Sequence, residues 1–334
     1  MHHLHGSGAH VACGIAEEVL RSAERRQDRV TLAAGHRFLA VGSMFNGRLA
    51  PALEHYERAL ALYDPADRDA PVYLWAPDTR VLCPSFMGLV LLWQGYPDRA
   101  VAHGREGLAA AHELGHAYGV SQALFLNCWL HRARRDARAV LERAAELVPL
   151  ATEHGFVSWS SGGRVMRGWA LAAEGEVAAG IADMREGLAA YRATGALLAQ
   201  PHFIGLLAEA CARAGEPSEA LRLLVEALAI VDRMEERWFE AELHRLKGEV
   251  LLLGDAHDAG ATGAACLGKA VEVARGQGAR YWELRAATSL ARFWAERGER
   301  ARAFDLLAPV YGWFTEGFDT LDLREARVLL DALQ

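Results

Sequence analysis

A five-residue segment in the first third of the chain has the residue types of a zinc hydrolase site. The segment His112-Glu113-Leu114-Gly115-His116 matches HExxH, in which two imidazoles on one helix face bind zinc and the glutamate acts as base. Gly115 stands where a helix should end, because glycine adopts the left-handed conformation of a helix C-terminus. A helix that ends there cannot hold both imidazoles on one face. No third ligand follows at a recognised spacing, so we predict a turn and no zinc site.

Other patterns that could support catalysis lack their structural setting. The chain has no GxxxxGK[ST] phosphate loop, and Gly276-Gln277-Gly278 does not follow a predicted strand, so a dinucleotide site is unsupported. Four clustered carboxylates are expected mostly to face solvent at a helix start, where negative charge complements the helix dipole: Glu235, Glu236, Glu240 and Glu242. We therefore predict a protein that is not an enzyme, with no catalytic residue, no metal and no cofactor.

The composition limits the classes of partner. The 334 residues are 52% hydrophobic and 24% charged, and the net charge of −7 gives no electrostatic case for binding nucleic acid or an anionic membrane. The one basic run, 131–138, is interpreted as a solvated turn between helices. No apolar stretch is long enough to span a bilayer, and the start has no signal-peptide pattern, so we predict a cytoplasmic protein. The five scattered cysteines are expected to be reduced core residues.

A short polar turn containing glycine recurs about every 40 residues, which is the signature of a stacked-repeat architecture. In each copy a small residue follows about five positions later and begins an apolar run. The copies that keep this pattern begin at Asn46-Gly47, Gly95-Tyr96, Gly175-Glu176, Gly215-Glu216 and Gly298-Glu299. A degenerate copy at Arg134-Arg135-Asp136 keeps the spacing, and Gly254-Asp255 opens a copy that an insertion lengthens.

Each repeat is predicted to form two antiparallel helices, because apolar residues recur at three-and-four spacing on both sides of the turn. The seven predicted pairs cover 30–63, 79–114, 118–154, 158–194, 197–233, 237–277 and 280–317. A last helix, 321–333, would cap the stack. We therefore predict an all-α, right-handed superhelical solenoid of tetratricopeptide-like (TPR-like) repeats, which forms a single domain over 11–334. Residues 1–10 are expected to be disordered or a cloning remnant.

Aromatic residues recur where the first helix of each pair begins. The candidate binding residues are Trp75, Tyr118, Trp159, Phe203, Trp238 with Phe239, and Trp282. First helices line the concave face of a two-helix solenoid, so these rings could form a groove that binds a peptide or a small ligand. Alternatively, they could be packing residues that hold one repeat against the next. The period alone fits both interpretations.

Three segments near the C-terminus resemble a known family. They are 236–249 (ERWFEAELHRLKGE), 282–292 (WELRAATSLAR) and 309–323 (PVYGWFTEGFDTLDL). Together they closely resemble the C-terminal tetratricopeptide-like region of large bacterial signalling proteins. Those proteins carry an N-terminal class III adenylate/guanylate cyclase domain or a DNA-binding domain, followed by a signal-transducing ATPase domain. The resemblance covers about 11–334 and brings no catalytic residue to this chain.

The resemblance implies a scaffold or regulatory function. The array would bind a protein segment, or the ATPase or cyclase domain of its own system. The alternative is a sensor that binds a small-molecule effector in the superhelix groove.

Overall fold

The computed structural model describes residues 9–67, 78–254 and 259–334, and it contains helices and no strand in those ranges. The helices, numbered here in chain order, are α1 Ala9–Arg26, α2 Arg29–Phe45, α3 Leu49–Leu62, α4 Thr79–Trp93, α5 Pro97–Leu114, α6 Ala117–Ala133, α7 Ala137–Glu153, α8 Val157–Ala173, α9 Val177–Ala193, α10 Gln200–Arg213, α11 Pro217–Met234, α12 Glu240–Leu252, α13 Ala259–Gln277, α14 Arg280–Glu296, α15 Arg300–Tyr311 and α16 Leu321–Leu333. A 3-10 turn, Pro65–Asp67, follows α3.

The architecture is the predicted all-α, TPR-like solenoid. Helices α2 to α15 form the seven antiparallel pairs, and α16 packs on α14 and α15 as the capping helix. Helix α1, which the repeat pattern did not predict, packs on α2. Helix α13, in the copy that an insertion lengthens, begins at Ala259. Residues 1–10, which were expected to be disordered or a cloning remnant, lie almost wholly outside the described residues.

The recurring turn has one backbone requirement, a residue with positive φ just after the first helix. Glycine meets it in the repeats that begin at Gly47, Gly95, Gly175, Gly215 and Gly298. In the degenerate copy Arg135 takes the same conformation, with φ of 61°. A residue with a Cβ pays about 1–2 kcal/mol for this conformation. The degenerate sequence therefore keeps the geometry of the turn as well as its spacing.

Small residues let the two helices of a pair approach closely. In the pair α8–α9, a Cβ added at Gly168 would lie 2.5 Å from the carbonyl oxygen of Gly180, and one added at Gly180 would lie 2.4 Å from that of Gly168. Both distances are too short for a real side chain, so backbone meets backbone at this crossing. The small positions predicted from the repeat are buried in the other pairs too, as at Ala52, Ala100 and Ala220.

The array closes on itself, so that early repeats touch late ones. The carbonyl oxygen of Phe45, at the end of α2, accepts hydrogen bonds from the backbone amides of Arg237 (2.8 Å) and Trp238 (3.3 Å) before α12. Gln277 Nε2 then donates to the carbonyl oxygen of Arg237 at 2.7 Å. These bonds join the first predicted pair to the sixth.

A second set of contacts joins α5 to the turn before α16. The amino end of α5 has no side-chain cap of its own, and Glu316 supplies one from the other end of the chain. Its Oε1 accepts from the backbone amides of Asp98 (2.9 Å) and Arg99 (3.1 Å). In return, Asp98 Oδ2 accepts from the amide of Gly317 at 3.0 Å. The basic run also contacts the last helix, since Arg135 Nη1 donates to Glu325 of α16 at 2.8 Å.

Aromatic side chains fill the middle of the closed array. The indole ring of Trp238 stacks between those of Trp93 and Trp129, with centroid distances of 4.7 and 5.0 Å. Phe45 meets Trp129 and Trp238 edge-on, and His202 contacts the same two indoles. All five side chains are buried. We call this group the aromatic plug, and its rings occupy the space that an open superhelix would offer as a continuous groove.

Adding one methyl group at the α8–α9 crossing should destabilise the fold. Gly180→Ala places a Cβ against backbone atoms that cannot move independently, so we expect the free energy of unfolding to fall by about 1–3 kcal/mol. Gly268→Ala in α13 is the matched control, because a Cβ there meets nothing within 4 Å. The control should be roughly 0.5–1 kcal/mol more stable than wild type. Urea unfolding measures both, and equal effects at the two sites would contradict the close approach.

Removing the cap that Glu316 provides should loosen the closure. Glu316→Ala leaves the amides of Asp98 and Arg99 without their acceptor, so we expect a loss of about 0.5–2 kcal/mol. Hydrogen exchange at those two amides should accelerate. Glu299→Ala, which removes an exposed carboxylate paired only with Arg302, should leave the exchange at α5 unchanged. Unchanged exchange in the Glu316 variant would show that the cap does not form in solution.

Candidate functional site

A mainly apolar pocket lies beside the aromatic plug, with which it shares Phe45 and Trp129. Its volume is about 580 Å³, and it lies between α2, α4, α6, α8 and the turn that precedes α10. The lining contains neither an acidic nor a basic side chain. Aromatic rings dominate its walls, above all Tyr118, Phe125, Trp129, Phe156, Trp159 and Tyr191. We call this the aromatic pocket.

The rings of the aromatic pocket hold one another in place. Tyr118 meets Phe156 and Trp159 edge-on, at centroid distances of 5.3 and 5.8 Å. Phe125 lies 5.3 Å from Trp159 and is buried, whereas Tyr118 and Trp159 are half-buried. Burial raises the pKa of the Tyr118 hydroxyl, so this group is neutral at physiological pH. The pocket thus offers ring faces and edges that packing has already ordered.

Two buried polar atoms in the lining have no hydrogen-bond partner. The side chain of Gln122 is 1% exposed and its Oε1 is unpaired, and the indole Nε1 of Trp129, a residue 3% exposed, is unpaired too. One atom is an acceptor and the other is a donor. Leaving such a group buried and unsatisfied costs about 1–3 kcal/mol, so native proteins do so rarely.

A buried carboxyl group fixes the rim of the pocket near α10. Ala199 has a positive φ of 67° although it is not glycine, and its amide donates to Glu236 Oε1 at 2.9 Å. The same carboxyl oxygen accepts from Trp238 Nε1 at 2.9 Å. Burial raises the pKa of Glu236 to about 8, although the bonds from Trp238 and Ala199 oppose the rise. Glu236 therefore links the pocket rim to the aromatic plug.

The opposite end of the closed array has a charged pocket of about 650 Å³ near the carboxyl ends of α10, α12 and α14. Two of its arginines are paired with carboxylates: Arg245 Nε lies 2.7 Å from Glu242, and Arg285 lies 2.9 Å from Glu242 and 3.3 Å from Asp322. Burial pushes the pKa of Glu242 upward, but Arg245 and Arg285 outweigh it and hold the pKa well below its ordinary value. We interpret this cluster as a structural ion-pair network.

The structure divides the candidate binding residues into three groups. Tyr118 and Trp159 lie together in the aromatic pocket. Phe203, Trp238 with Phe239, and Trp282 are at most 3% exposed and pack inside the array. Trp75 lies outside the described residues. The binding role of the first group stays a prediction, and the second group makes the repeat-to-repeat contacts of the alternative interpretation.

The HExxH segment spans the end of one helix and the start of the next. Helix α5 ends at Leu114, Gly115 has a φ of 68°, and His116 precedes the first turn of α6. The two imidazoles therefore do not share a helix face, as the turn at Gly115 predicted. Within the described ranges no group of three or more histidine, cysteine or acidic residues is arranged to hold a metal ion.

Two expectations about surface charge were wrong. Glu236 and Glu242 are each 1% exposed. The hydrogen bond from the Ala199 amide compensates the burial of Glu236, and Arg285 compensates that of Glu242. The basic run does form a turn, but it is solvated only in part, since Arg138 is exposed and Arg132 is buried. Arg132 is 2% exposed and faces Glu209 at 3.4 Å, and Arg134 donates to the carbonyl oxygen of Pro97. Most partners of these charges come from the same or the adjacent repeat, whereas Glu209 reaches Arg132 from two repeats further along the chain.

Sequence reasoning missed Gln122 and Trp129 as candidate residues of the pocket. They are seven residues apart, two turns along one face of α6, in a helix whose pattern is apolar on most sides. A buried glutamine in such a helix was a usable signal.

No helix among the described residues is long and apolar enough to cross a membrane.

Comparison with solved structures finds several proteins of similar fold. A Rap protein complexed with Competence and Sporulation Factor gives a TM-score of 0.59 at 10% identity, covering 97% of this chain and 96% of that chain. The apo form of RapI gives 0.53 at 11% identity, covering 89% and 98%. Aspartyl phosphate phosphatase F from Bacillus subtilis gives 0.51 at 13% identity, covering 88% and 74%.

No family model and no curated protein matches the sequence. Identities this low establish similarity of fold alone. The helical repeat architecture of this chain is thus similar to that of the two Rap structures and the phosphatase.

The buried carboxyl group gives the fold a defined pH dependence. The folded protein keeps the proton of Glu236 up to about pH 8, whereas the unfolded chain releases it near the ordinary pKa of 4.5. The stability that this proton contributes is therefore complete below pH 4.5 and is lost as the pH rises to about 8. Glu236→Gln, which stays neutral, should gain stability relative to wild type between pH 5 and 8.5, on the order of a few kcal/mol. Urea unfolding at both pH values measures the change, with Glu235→Gln, at an exposed neighbour, as control. Parallel curves for Glu236→Gln and wild type would rule out a buried neutral carboxyl.

Proposed function

We propose that the chain is a non-catalytic, TPR-like regulatory scaffold of a bacterial signalling protein, and that the aromatic pocket binds a segment of a partner protein. The observation that carries this proposal is the pocket itself, in which the half-buried rings of Tyr118 and Trp159 remain accessible while the plug fills the middle of the array. Large aromatic side chains in a preformed recess are the residues that most often dominate the binding energy of protein interfaces.

The partner proposed first is an ATPase or cyclase domain of the same signalling system. The resemblance of 236–249, 282–292 and 309–323 to arrays attached to such domains supports it. One protein of similar architecture was solved as a complex with Competence and Sporulation Factor, so this architecture can hold a bound factor. We propose no catalytic role, because the pocket lining has no carboxylate, imidazole or amine to move a proton.

A small-molecule effector is the second candidate function. The pocket volume of about 580 Å³ falls within the range of small-ligand sites, about 300–1,000 Å³. An effector would raise the melting temperature by mass action, and a metabolite panel that gives no shift would count against this candidate.

Truncating one ring of the pocket should weaken partner binding. The gene region upstream of the Met1 codon is sequenced in frame, and an ATPase or cyclase domain encoded there or in the neighbouring gene is produced. Calorimetry then measures its binding to this chain. We expect Trp159→Ala to weaken binding at least tenfold, the scale of a central aromatic contact. Phe318→Ala, which removes a ring that is 48% exposed and outside the pocket, is the control.

Three results would contradict the proposal. They are an absence of binding by wild type, equal binding by Trp159→Ala, and an equal loss in the Phe318 control. Circular dichroism of each variant separates lost binding from lost folding.

A further inference from the structure

Two histidines of the first helix pair face each other between α2 and α3. His36 of α2 and His55 of α3 place their Nδ1 atoms 3.0 Å apart, and their ring centroids lie 5.1 Å apart. Both residues are half-buried, so neither is sealed from solvent. They lie 19 positions apart on different helices, a spacing that no single-helix metal motif shares, so the sequence did not predict this pair.

Both imidazoles are neutral at physiological pH. Burial lowers the pKa of His36, and the neighbouring His55 lowers it further. Burial lowers the pKa of His55 as well, and the cation of Arg58 adds to the effect. A neutral imidazole offers one ring nitrogen with a free lone pair, which is the form that binds a metal ion. The pair therefore needs to lose no charge before it can act as a ligand.

The distance between the two nitrogens matches that of neighbouring ligands on one metal ion. With metal–nitrogen bonds of about 2.0–2.1 Å, ligands at adjacent corners of a square or octahedron lie about 2.9 Å apart, and tetrahedral ligands lie about 3.3 Å apart. The observed 3.0 Å is nearer to the first value. Tetragonal sites with nitrogen and oxygen ligands are typical of Cu²⁺ and Ni²⁺, and Cu²⁺ binds such ligands most tightly.

The charges around the pair include two carboxylates. Glu24 of α1 and Glu54 of α3 both act on His36 electrostatically and favour positive charge there. The cation of Arg58 opposes them, but its Nη2 is paired with Glu54 Oε1 at 2.5 Å. Among the described residues no third histidine, cysteine or carboxylate completes a metal-binding group with the pair, so water would supply the remaining ligands.

We propose that His36 and His55 bind one Cu²⁺ ion through their Nδ1 atoms, with water completing the coordination. In the present hydrogen bond one ring donates from Nδ1 and the other accepts. When the ion binds, the donated proton moves to Nε2 of its own ring by exchange with solvent, so both rings stay neutral and no net proton is released. The site lies outside the aromatic pocket, so this inference does not rest on the proposed function.

The test measures Cu²⁺ binding to the folded full chain. His2, His3 and His5 lie outside the described residues and are changed to alanine in every sample, because histidines near a terminus compete for Cu²⁺. Calorimetry measures the affinity, and electron paramagnetic resonance counts the nitrogen ligands. We expect one ion held by two imidazole nitrogens. The ion should also raise the melting temperature, because it binds the folded chain preferentially.

Two variants and a control locate the ion. His36→Gln and His55→Gln each remove one ligand and keep a polar side chain, so Cu²⁺ affinity should fall at least tenfold and the two-nitrogen signal should disappear. His112→Gln is the matched control, because it removes a single histidine from α5 whose side chain is 48% exposed. It should bind Cu²⁺ like the parent chain. Circular dichroism identifies a variant that fails to fold, and the other variant then carries the test.

A second metal tests the argument from distance. Zn²⁺ prefers tetrahedral ligands, so we expect it to bind the parent chain at least tenfold more weakly than Cu²⁺. Equal affinity for the two ions would overturn the argument from the 3.0 Å separation. A spectrum without two nitrogen ligands would show that the contact is a hydrogen bond only. Unchanged affinity in both folded variants, or an equal loss in His112→Gln, would place the ion elsewhere and sink the inference.

Discussion

The stack of Trp238 between Trp93 and Trp129 is the contact on which the rest of the structure depends. Its rings come from three different repeats, and the amide of Trp238 also donates to the carbonyl oxygen of Phe45 in a fourth helix pair. Burial of aromatic rings supplies a large apolar area, and the stacked geometry adds to it. Because this contact fills the middle of the array, the two pockets lie at its ends and not along a continuous groove.

The two pockets differ in how their polar groups are satisfied. Around the charged pocket, carboxylates and arginines neutralise one another within a helix and between helices, as Glu242 does with Arg245 of its own helix and with Arg285 of α14. In the aromatic pocket, the unpaired atoms of Gln122 and Trp129 have no such partner within the chain. Satisfied charges stabilise one arrangement of the helices, whereas accessible rings without charge are what a binding site offers to an apolar ligand.

The local features of the fold could be predicted from the sequence, because they depend on spacing within one repeat. The glycine turns, the small residues at the crossings and the end of α5 at Gly115 are of this kind. The closure could not be predicted, since it joins residues with no shared pattern, and the same is true of the burial of Glu236. The aromatic residues show how far the sequence alone can predict the candidate site. Their period located Tyr118 and Trp159, but only closure separates these from the buried Trp238.

The cap that Glu316 gives to α5 joins residues 218 positions apart in the sequence. Repeat arrays are usually stabilised by neighbour-to-neighbour contacts, so they can lose an end repeat or begin to fold at any point. Here the last repeats complete an early helix, and long-range contacts of this kind raise the contact order and slow folding. A nascent chain therefore lacks the acceptor for the amides of Asp98 and Arg99 until Glu316 has been synthesised. Such an array should fold as one cooperative unit, and it cannot be shortened from its C-terminus one repeat at a time.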